Sequence, residues 1–188
     1  MMSLKSNNHR ALLLTAAAHT VSKYGVDVSV SRIAKAAGVD ETTLFKHFVS
    51  KEALLNTLYV DIHCDLCSKL RECVVLGEPL LERARAIWNS YIDWGLANPE
   101  RRGARHRLMV SDILTDHTRK TEALLFPDVG LAEAGSESDV FGDHPPEFGE
   151  TIFIALADAT IDFAGRDPQR ADLYKQSGFD AHWRVFFA

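Results

Sequence analysis

The sequence lacks the marks of a membrane-spanning or disulfide-stapled protein. No apolar run approaches the roughly 20 residues that a membrane-spanning helix needs. The three cysteines, Cys64, Cys67 and Cys73, are odd in number and lie within one helical pattern, so they do not predict a disulfide framework. Unpaired cysteines are typical of a reducing compartment, and we expect this chain in the cytoplasm.

The motifs of common catalytic sites are also missing. The sequence has no nucleophile elbow, no glycine-rich phosphate loop and no metalloprotease helix motif. It shows no convincing strand alternation and no internal repeat. We therefore expect an all-α protein that is not an enzyme and that holds no cofactor or metal.

The first apolar segment, "KSNNHRALLLTAAAH", has a basic start and a short apolar core, as a secretion signal does. Its charged and polar positions fall at helical spacing, however, and it leads directly into the next helical pattern. We therefore interpret this segment as the first helix of a folded domain.

The chain is acidic overall, but its charge is unevenly distributed. It has 188 residues, 46% of them hydrophobic and 25% charged, which is typical of a globular protein. Residues 1–51 contain seven basic and three acidic side chains, whereas residues 52–188 contain fourteen and twenty-three, which gives net charges of +4 and −9. A positive end on an acidic body indicates a module that binds a polyanion.

Helix-starting and helix-ending residues divide the chain into about nine predicted helices. The first helix carries a stripe of Leu13, Ala17 and Val21 and ends at Gly25, a residue suited to the left-handed conformation of a C-terminal cap. Residues with capping side chains precede the next three helices, at Ser29, Asp40 and Ser50. We expect a short seventh helix over residues 118–126, a loop over 127–146, and an eighth helix over 147–164 that ends at Gly165.

Two short helices joined by "AGVD" predict a helix-turn-helix, whose second helix enters the DNA major groove. In that helix, "ETTLFKHF", Leu44 and Phe48 lie four residues apart and must point inward. A threonine bonds phosphates or base edges, and a lysine at a helix N-terminus binds anions. The predicted DNA contacts are Ser29, Ser31, Glu41, Thr42, Thr43, Phe45, Lys46, His47 and Lys51.

Four motifs agree in spacing: "LLTAA…G" over residues 13–25, "IAKAAGV" over 33–39, "LFKHF" over 44–48 and "SKEALL" over 50–55. Together they resemble the DNA-binding domain of the TetR family of bacterial transcriptional repressors. The resemblance implies a three-helix DNA-binding domain over residues 1–50 and a helical effector-binding and dimerisation domain over 51–188. It also implies that effector binding shifts the fourth helix, so that paired recognition helices lose their spacing on DNA.

The sequence departs from the family pattern at two positions. The family usually has a tyrosine in place of Phe45, and the hydroxyl of that tyrosine commonly bonds a phosphate. Val21 replaces a usual aromatic residue of the core. The first change predicts weaker or differently placed anchoring on the DNA backbone, and neither change removes the fold.

The last two helices predict a dimer interface. A helix-turn-helix grips few phosphates, so the motif is usually paired on a palindrome with a spacing of about 34 Å. The predicted interface residues are Phe148, Ile152, Ala155, Ala159, Phe163, Trp183 and Phe187, and Ile154 and Ile161 are expected to widen the stripe. Packing within one chain is the alternative for some of them.

Bulky side chains on the middle helices predict an effector pocket. The candidates are Trp88, Tyr91, Trp94, His106, Met109, Ile113 and Phe126, and ordinary core packing is the alternative for any one of them. We therefore predict a DNA-binding transcriptional regulator and expect it to act as a repressor. It should bind a palindromic operator as a homodimer and be released from it by a small molecule. The rival class is an all-α binding protein or enzyme whose helix-turn-helix does not bind DNA.

Two smaller features leave alternatives open. Cys64 and Cys67 stand one helical turn apart and suit either a redox or metal sensor or small buried side chains. The run "RRGARHR" from Arg101 to Arg107 suits an anionic effector, the acids of the fourth helix or a solvated surface.

Overall fold

The computed structural model describes residues 2–75, 77–125, 144 and 146–187, with side chains for residues 9–75, 77–125, 144 and 148–187. Within these residues all regular secondary structure is helical, which confirms the predicted all-α class. The described α-helices are α1 (Met2–Tyr24), α2 (Val30–Ala36), α3 (Glu41–His47), α4 (Lys51–Cys73), α5 (Leu80–Ala97), α6 (Pro99–Met109), α7 (Asp116–Leu125), α8 (Pro146–Arg166) and α9 (Ala171–Phe186). A 3-10 turn, Pro168–Arg170, precedes α9. None of the helices in the described ranges combines the length and the hydropathy that a membrane crossing requires.

Local sequence signals set the first helix boundaries as predicted. The Ser29 hydroxyl oxygen accepts a hydrogen bond from the Arg32 backbone N–H at 3.3 Å, and the Asp40 carboxylate accepts one from the Thr43 N–H at 2.6 Å. Each bond satisfies a backbone donor that a helix N-terminus otherwise leaves unpaired. Gly25 has a φ of 86°, so it ends α1 in the left-handed conformation that glycine adopts without strain.

By its internal packing the chain divides into two compact units. The first contains Met1–Asp65 and Asn98–Phe126, and the second contains Leu66–Ala97 and Pro127–Ala188. Helix α4 belongs to both, because the division falls within it. The functional boundary predicted near residue 50 is a separate matter and stays a prediction.

Helix α1 supplies much of the core of the first unit. Its predicted stripe of Leu13, Ala17 and Val21 is fully inaccessible to solvent. The helix packs along α6, where Gly103 comes so close to α1 that a Cβ on it would lie 2.3 Å from Ser22 Oγ. A glycine therefore permits this close crossing of α1 and α6.

In the first unit Asn56 of α4 fastens the turn between α6 and α7. Its amide donates to the Ile113 carbonyl at 2.9 Å, and its oxygen accepts from the Thr115 N–H at 3.0 Å and the Thr118 hydroxyl at 2.6 Å. Thr115 also caps α7 through its hydroxyl, which accepts from the Thr118 N–H at 3.2 Å. Because of this cap, α7 begins at Asp116, two residues before its predicted start.

The second unit is built from α5, α8 and α9 around Trp88. This side chain is fully buried, and its indole N–H donates to the Lys175 carbonyl at 3.0 Å. Its ring stacks on His182, with centroids 5.2 Å apart and planes at 13°. Phe153 meets Trp88 and Tyr91 edge to face, at 5.8 Å and 5.1 Å, so three helices contribute to one aromatic cluster.

Helix α8 differs from its prediction at its end and on its inner face. It continues to Arg166, so Gly165 lies inside the helix, where a Cβ would make an ordinary 3.6 Å contact with Leu96. Ile154 and Ile161 are buried within the chain and do not widen the predicted dimer stripe. Most of the predicted loop over residues 127–146 lies outside the described residues.

Candidate nucleic-acid interface

Helix α3 separates its buried face from an accessible one. Leu44 and Phe48 are buried, at 0% and 5% exposure, as their spacing predicts. The other predicted contacts on this helix are accessible, with Glu41, Thr42, Phe45 and Lys46 exposed and Thr43 and His47 half-buried. The helix therefore presents a largely polar face that also carries the exposed phenyl ring of Phe45.

Two capping residues define the ends of helices around this face. The backbone N–H of Thr43 holds the pKa of Asp40 below its usual value, because that hydrogen bond favours the charged carboxylate. Ser50 caps α4 by accepting from the Ala53 N–H at 3.1 Å. Lys51, the first residue of α4, is half-buried and lies at the positive end of a 23-residue helix.

Helix α2 places its two predicted serines on the surface. Ser29 and Ser31 are both exposed, and Ser29 uses its hydroxyl for the cap described above. The end of α3 is flanked by α1, since the rings of His47 and His9 meet edge to face at 6.2 Å. The predicted contacts of α2, α3 and the start of α4 therefore all belong to the first unit.

The predicted contacts did not include two residues near these serines, Arg32 and Tyr24. The guanidinium of Arg32 in α2 lies 4.3 Å from the ring centroid of Tyr24, the last residue of α1, and the ammonium of Lys23 lies 5.4 Å from the same ring. Tyr24 is 48% exposed and Arg32 is exposed. The position of Arg32, three residues after the cap Ser29, was the available signal, but the aromatic partner depends on how α1 meets α2.

The lysines and arginines described among the first 51 residues form no close ion pairs. Among the side chains that the structure describes, none of these cations lies within ion-pair distance of a carboxylate. They are Arg10, Lys23, Arg32, Lys35, Lys46 and Lys51. Unpaired cations raise the local positive potential and attract polyanions.

Two arginines on α6 do form ion pairs. Arg101 lies 2.9 Å from a carboxylate oxygen of Asp61 and 3.5 Å from one of Asp65, both on α4. Arg105 is buried and lies 3.3 Å from Glu122 of α7. Of the alternatives for the arginine-rich run, contact with the acids of the fourth helix is confirmed for Arg101.

The predicted effector residues are divided between the two units. Trp88, Tyr91 and Trp94 are buried in the second unit. The first unit contains His106, which is exposed, and Met109 and Ile113, which are half-buried. Phe126 lies outside the described residues, and the role of the set as a pocket stays a prediction.

The predicted dimer residues of α8 lie on its outer face. Phe148 and Phe163 are 43% and 55% exposed, Ala155 and Ala159 are exposed, and Ile152 is half-buried. On α9, Trp183 and Phe187 are half-buried and stack on each other with centroids 4.8 Å apart. The α8 residues therefore form an apolar stripe that is partly exposed in the described part of the chain, with the ring of Phe148 stacked on His144.

The cysteines of α4 differ in environment. Cys64 is exposed and Cys67 is buried, and neither is part of a disulfide. The described residues contain no group of three or more His, Cys, Asp or Glu side chains placed to hold a metal ion. The sensor interpretation gains no support from this geometry.

The fold and the accessible helix-turn-helix define the class of an all-α protein with an N-terminal DNA-binding motif. Residues 13–58 match the family model of the bacterial regulatory proteins of the tetR family, which confirms the resemblance of the N-terminal motifs to that family. Among curated proteins it is similar to the nucleoid occlusion factor SlmA of Marinomonas sp. (strain MWYL1), with 28% identity over 120 residues. That match spans 63% of this chain and 59% of the relative, which is less than two thirds of its length.

Solved structures show the same fold over nearly the whole chain. A putative tetR family transcription regulator from Shewanella sp. PV-4 has a TM-score of 0.77 at 21% identity, covering 96% of this chain and 98% of that one. The TetR-like regulator LfrR from Mycobacterium smegmatis, solved in complex with proflavine, has a TM-score of 0.69 at 16% identity and covers 96% and 98%. At these identities the likeness concerns the fold alone.

Proposed function

We propose that this chain is a ligand-responsive DNA-binding transcriptional regulator that acts as a repressor. The observation that carries the proposal is that the six lysines and arginines described among residues 1–51, which lie on helices α1 to α4, form no ion pair with a described carboxylate. A duplex offers the phosphates that would compensate them, and binding would release condensed counterions. Function on DNA places the chain in the cytoplasm.

The DNA-contacting region in this proposal is residues 1–50 with Lys51. Thr43 and Lys46 contribute most, because both lie on the accessible face of α3, where threonine reads bases and lysine binds phosphate. Ser29, Ser31 and Lys51 fix the register through phosphates. The exposed ring of Phe45 contributes apolar contact with a thymine methyl or a sugar.

Two copies act together on a palindromic operator. The partly exposed apolar stripe of α8 supports a homodimer, since exposed apolar patches mark association surfaces. Two-fold symmetry of the protein would then match the two-fold symmetry of the operator, with half-sites about one DNA turn apart.

A small-molecule effector releases the protein from DNA in this proposal. Residues 51–188 bind it, with the aromatic residues of α5 as the main candidates. Helix α4, which takes part in both units, is the element whose shift would change the spacing of the recognition helices. The effector must bind the released state more tightly, by a coupling of about 1–3 kcal/mol.

Selection from random DNA with the purified protein tests the DNA-binding role. We expect a two-fold symmetric consensus, and binding to that duplex should weaken linearly in log affinity as log salt concentration rises. Replacing Thr43 with Ala and Lys46 with Gln together should abolish gel retardation of the selected duplex. The matched control is Lys120→Gln, which removes one exposed cation from α7 and should leave retardation unchanged.

Two results would contradict the proposal at different levels. If no duplex is retained even at low ionic strength, the DNA-binding role is wrong. If the duplex binds and the double variant retains it as well as the wild type, the assignment of the contacts to α3 is wrong.

A further inference from the structure

The junction of α1 and α2 holds a compact cationic cluster around one aromatic ring. Tyr24 stands at the end of α1, and the charged groups of Arg32 and Lys23 lie 4.3 Å and 5.4 Å from its ring centroid. All three side chains are exposed, and Tyr24 retains 48% of its accessible surface. The cluster therefore buries little side-chain surface, and the charged groups of Arg32 and Lys23 remain accessible to a binding partner.

Arg32 is available to bind an anion. Among the described side chains it has no carboxylate within ion-pair distance. A guanidinium that lies against an aromatic ring keeps its N–H groups at its edges, and these match the oxygens of a phosphate in a bidentate arrangement. The guanidinium of Arg32 therefore has N–H donors that can bind a phosphate, and no described carboxylate neutralises its charge.

The position of Arg32 in α2 places it beside the predicted DNA contacts. Its backbone N–H donates to the Ser29 hydroxyl at 3.3 Å, so Arg32 lies in the first turn of α2. Side chains of a helix lean towards its N-terminus, which directs Arg32 to the surface that Ser29 occupies. Ser31, the neighbouring predicted contact, is exposed as well.

Tyr24 limits the freedom of the Arg32 side chain. Gly25, with its φ of 86°, ends α1 immediately after Tyr24 and turns the chain towards α2. This turn brings the ring and the guanidinium together from two different helices. An arginine held in one arrangement before binding loses less conformational entropy when it meets its partner.

We propose that Arg32 contacts a DNA backbone phosphate and that Tyr24 is the residue that positions its guanidinium. The proposal rests on the DNA-binding role proposed above and adds to it a contact beside the recognition helix. Lys23 contributes charge at the same place but has no assigned phosphate.

The test measures the affinity for the selected duplex as a function of salt concentration, in the full chain. Arg32→Gln should make the negative slope of log affinity against log salt shallower by about one per bound protomer. It should also weaken binding on the order of tenfold per protomer at 0.1 M salt. Tyr24→Leu should weaken binding about two- to fivefold with the slope retained, because the charge remains while its support is lost. Tyr24→Phe, which keeps the ring, should bind like the wild type.

A double variant separates positioning from an independent contact. If Tyr24 acts through Arg32, adding Tyr24→Leu to Arg32→Gln should weaken binding no further. An equal loss in both backgrounds would overturn the positioning role. Lys120→Gln is the matched control for the removal of one exposed cation.

Failure of this inference is distinct from failure of the proposed function. A wild type that binds no duplex removes the DNA-binding role itself. A wild type that binds with the same affinity and slope as Arg32→Gln removes only the phosphate contact. Thermal unfolding of each variant checks its folding, and Arg32→Gln alone carries the test if Tyr24→Leu does not fold.

Discussion

At the residue scale, His182 is the most unusual titratable group of the described side chains. It is 6% exposed and is surrounded by the rings of Trp88, Phe153 and Phe186. Within the described part of the chain its Nδ1 has no hydrogen-bond partner. Burial lowers the pKa of His182 to about 4, because the aromatic surroundings penalise the charged imidazolium.

This shift predicts a loss of stability in mild acid. The folded state keeps His182 neutral, whereas the unfolded chain protonates it near pH 6.5, so the contribution is complete above pH 6.5 and is lost as the pH falls towards 4. Relative to the His182→Phe variant, the wild type should lose at most about 3 kcal/mol of its free energy of unfolding over this pH range. Denaturant unfolding of both proteins between pH 7.5 and 4.5 measures it.

A second histidine serves as the control for this measurement. His117→Gln removes an exposed imidazole from α7 and should track the wild type at every pH. A constant difference between the wild type and His182→Phe over the whole range would show that His182 is not held neutral by the fold.

At the element scale, glycines allow two close helix crossings. Gly103 admits α1 against α6, and Gly178 admits α9 against α5 and α8. A Cβ on Gly178 would lie 2.3 Å from Thr160 Oγ1 and 2.7 Å from Trp88 Cζ2. The indole is fully buried and has little space to move, so the second crossing is the less tolerant one.

Gly178→Ala should therefore destabilise the protein by about 1–3 kcal/mol, the usual cost of overpacking. Gly165→Ala is the matched control, because a Cβ there meets Leu96 at an ordinary 3.6 Å and alanine favours the helix. We expect the control to be neutral or stabilising by up to about 1 kcal/mol, as measured by thermal and denaturant unfolding. Equal effects of the two variants would contradict the close-crossing argument.

At the scale of the whole molecule, the outer face of α8 is the surface on which the proposed dimer depends. Phe163 is 55% exposed, and the ring of Tyr174 and the guanidinium of Arg166 lie 5.7 Å and 5.9 Å from its ring centroid. A charge at this position would oppose the burial of the stripe against a second copy. The proposed dimer and its hold on a palindrome should therefore depend on this face.

Phe163→Glu should shift the protein towards a monomer and weaken operator binding, because each monomer contacts only one half-site. Analytical ultracentrifugation and gel retardation measure the two effects. The control is Leu124→Glu, which places the same charge at an 86% exposed position on α7 and should leave both unchanged. A monomeric wild type would refute the dimer, and a fully dimeric Phe163→Glu would place the interface elsewhere.

The sequence by itself determined the helical class, the early helix boundaries and the motif of the candidate site. These depend on local physics, since a cap such as Asp40 acts on a donor three residues away and a stripe such as Leu13, Ala17 and Val21 repeats within one helix. Gly25 ended its helix as expected, whereas Gly165 did not, because a glycine in a packed helix needs no left-handed backbone.

Only the tertiary structure decided which side chains meet across the chain. The pairing of Arg101 with α4, the support of Arg32 by Tyr24 and the burial of Ile161 opposite the exposed Phe163 each depend on how separate helices pack. Apolar residues cover more than one face of α8, so its sequence pattern does not state which face turns inward. Packing of α8 against the neighbouring helices determines which face is buried, and the local spacing of apolar residues does not encode that packing.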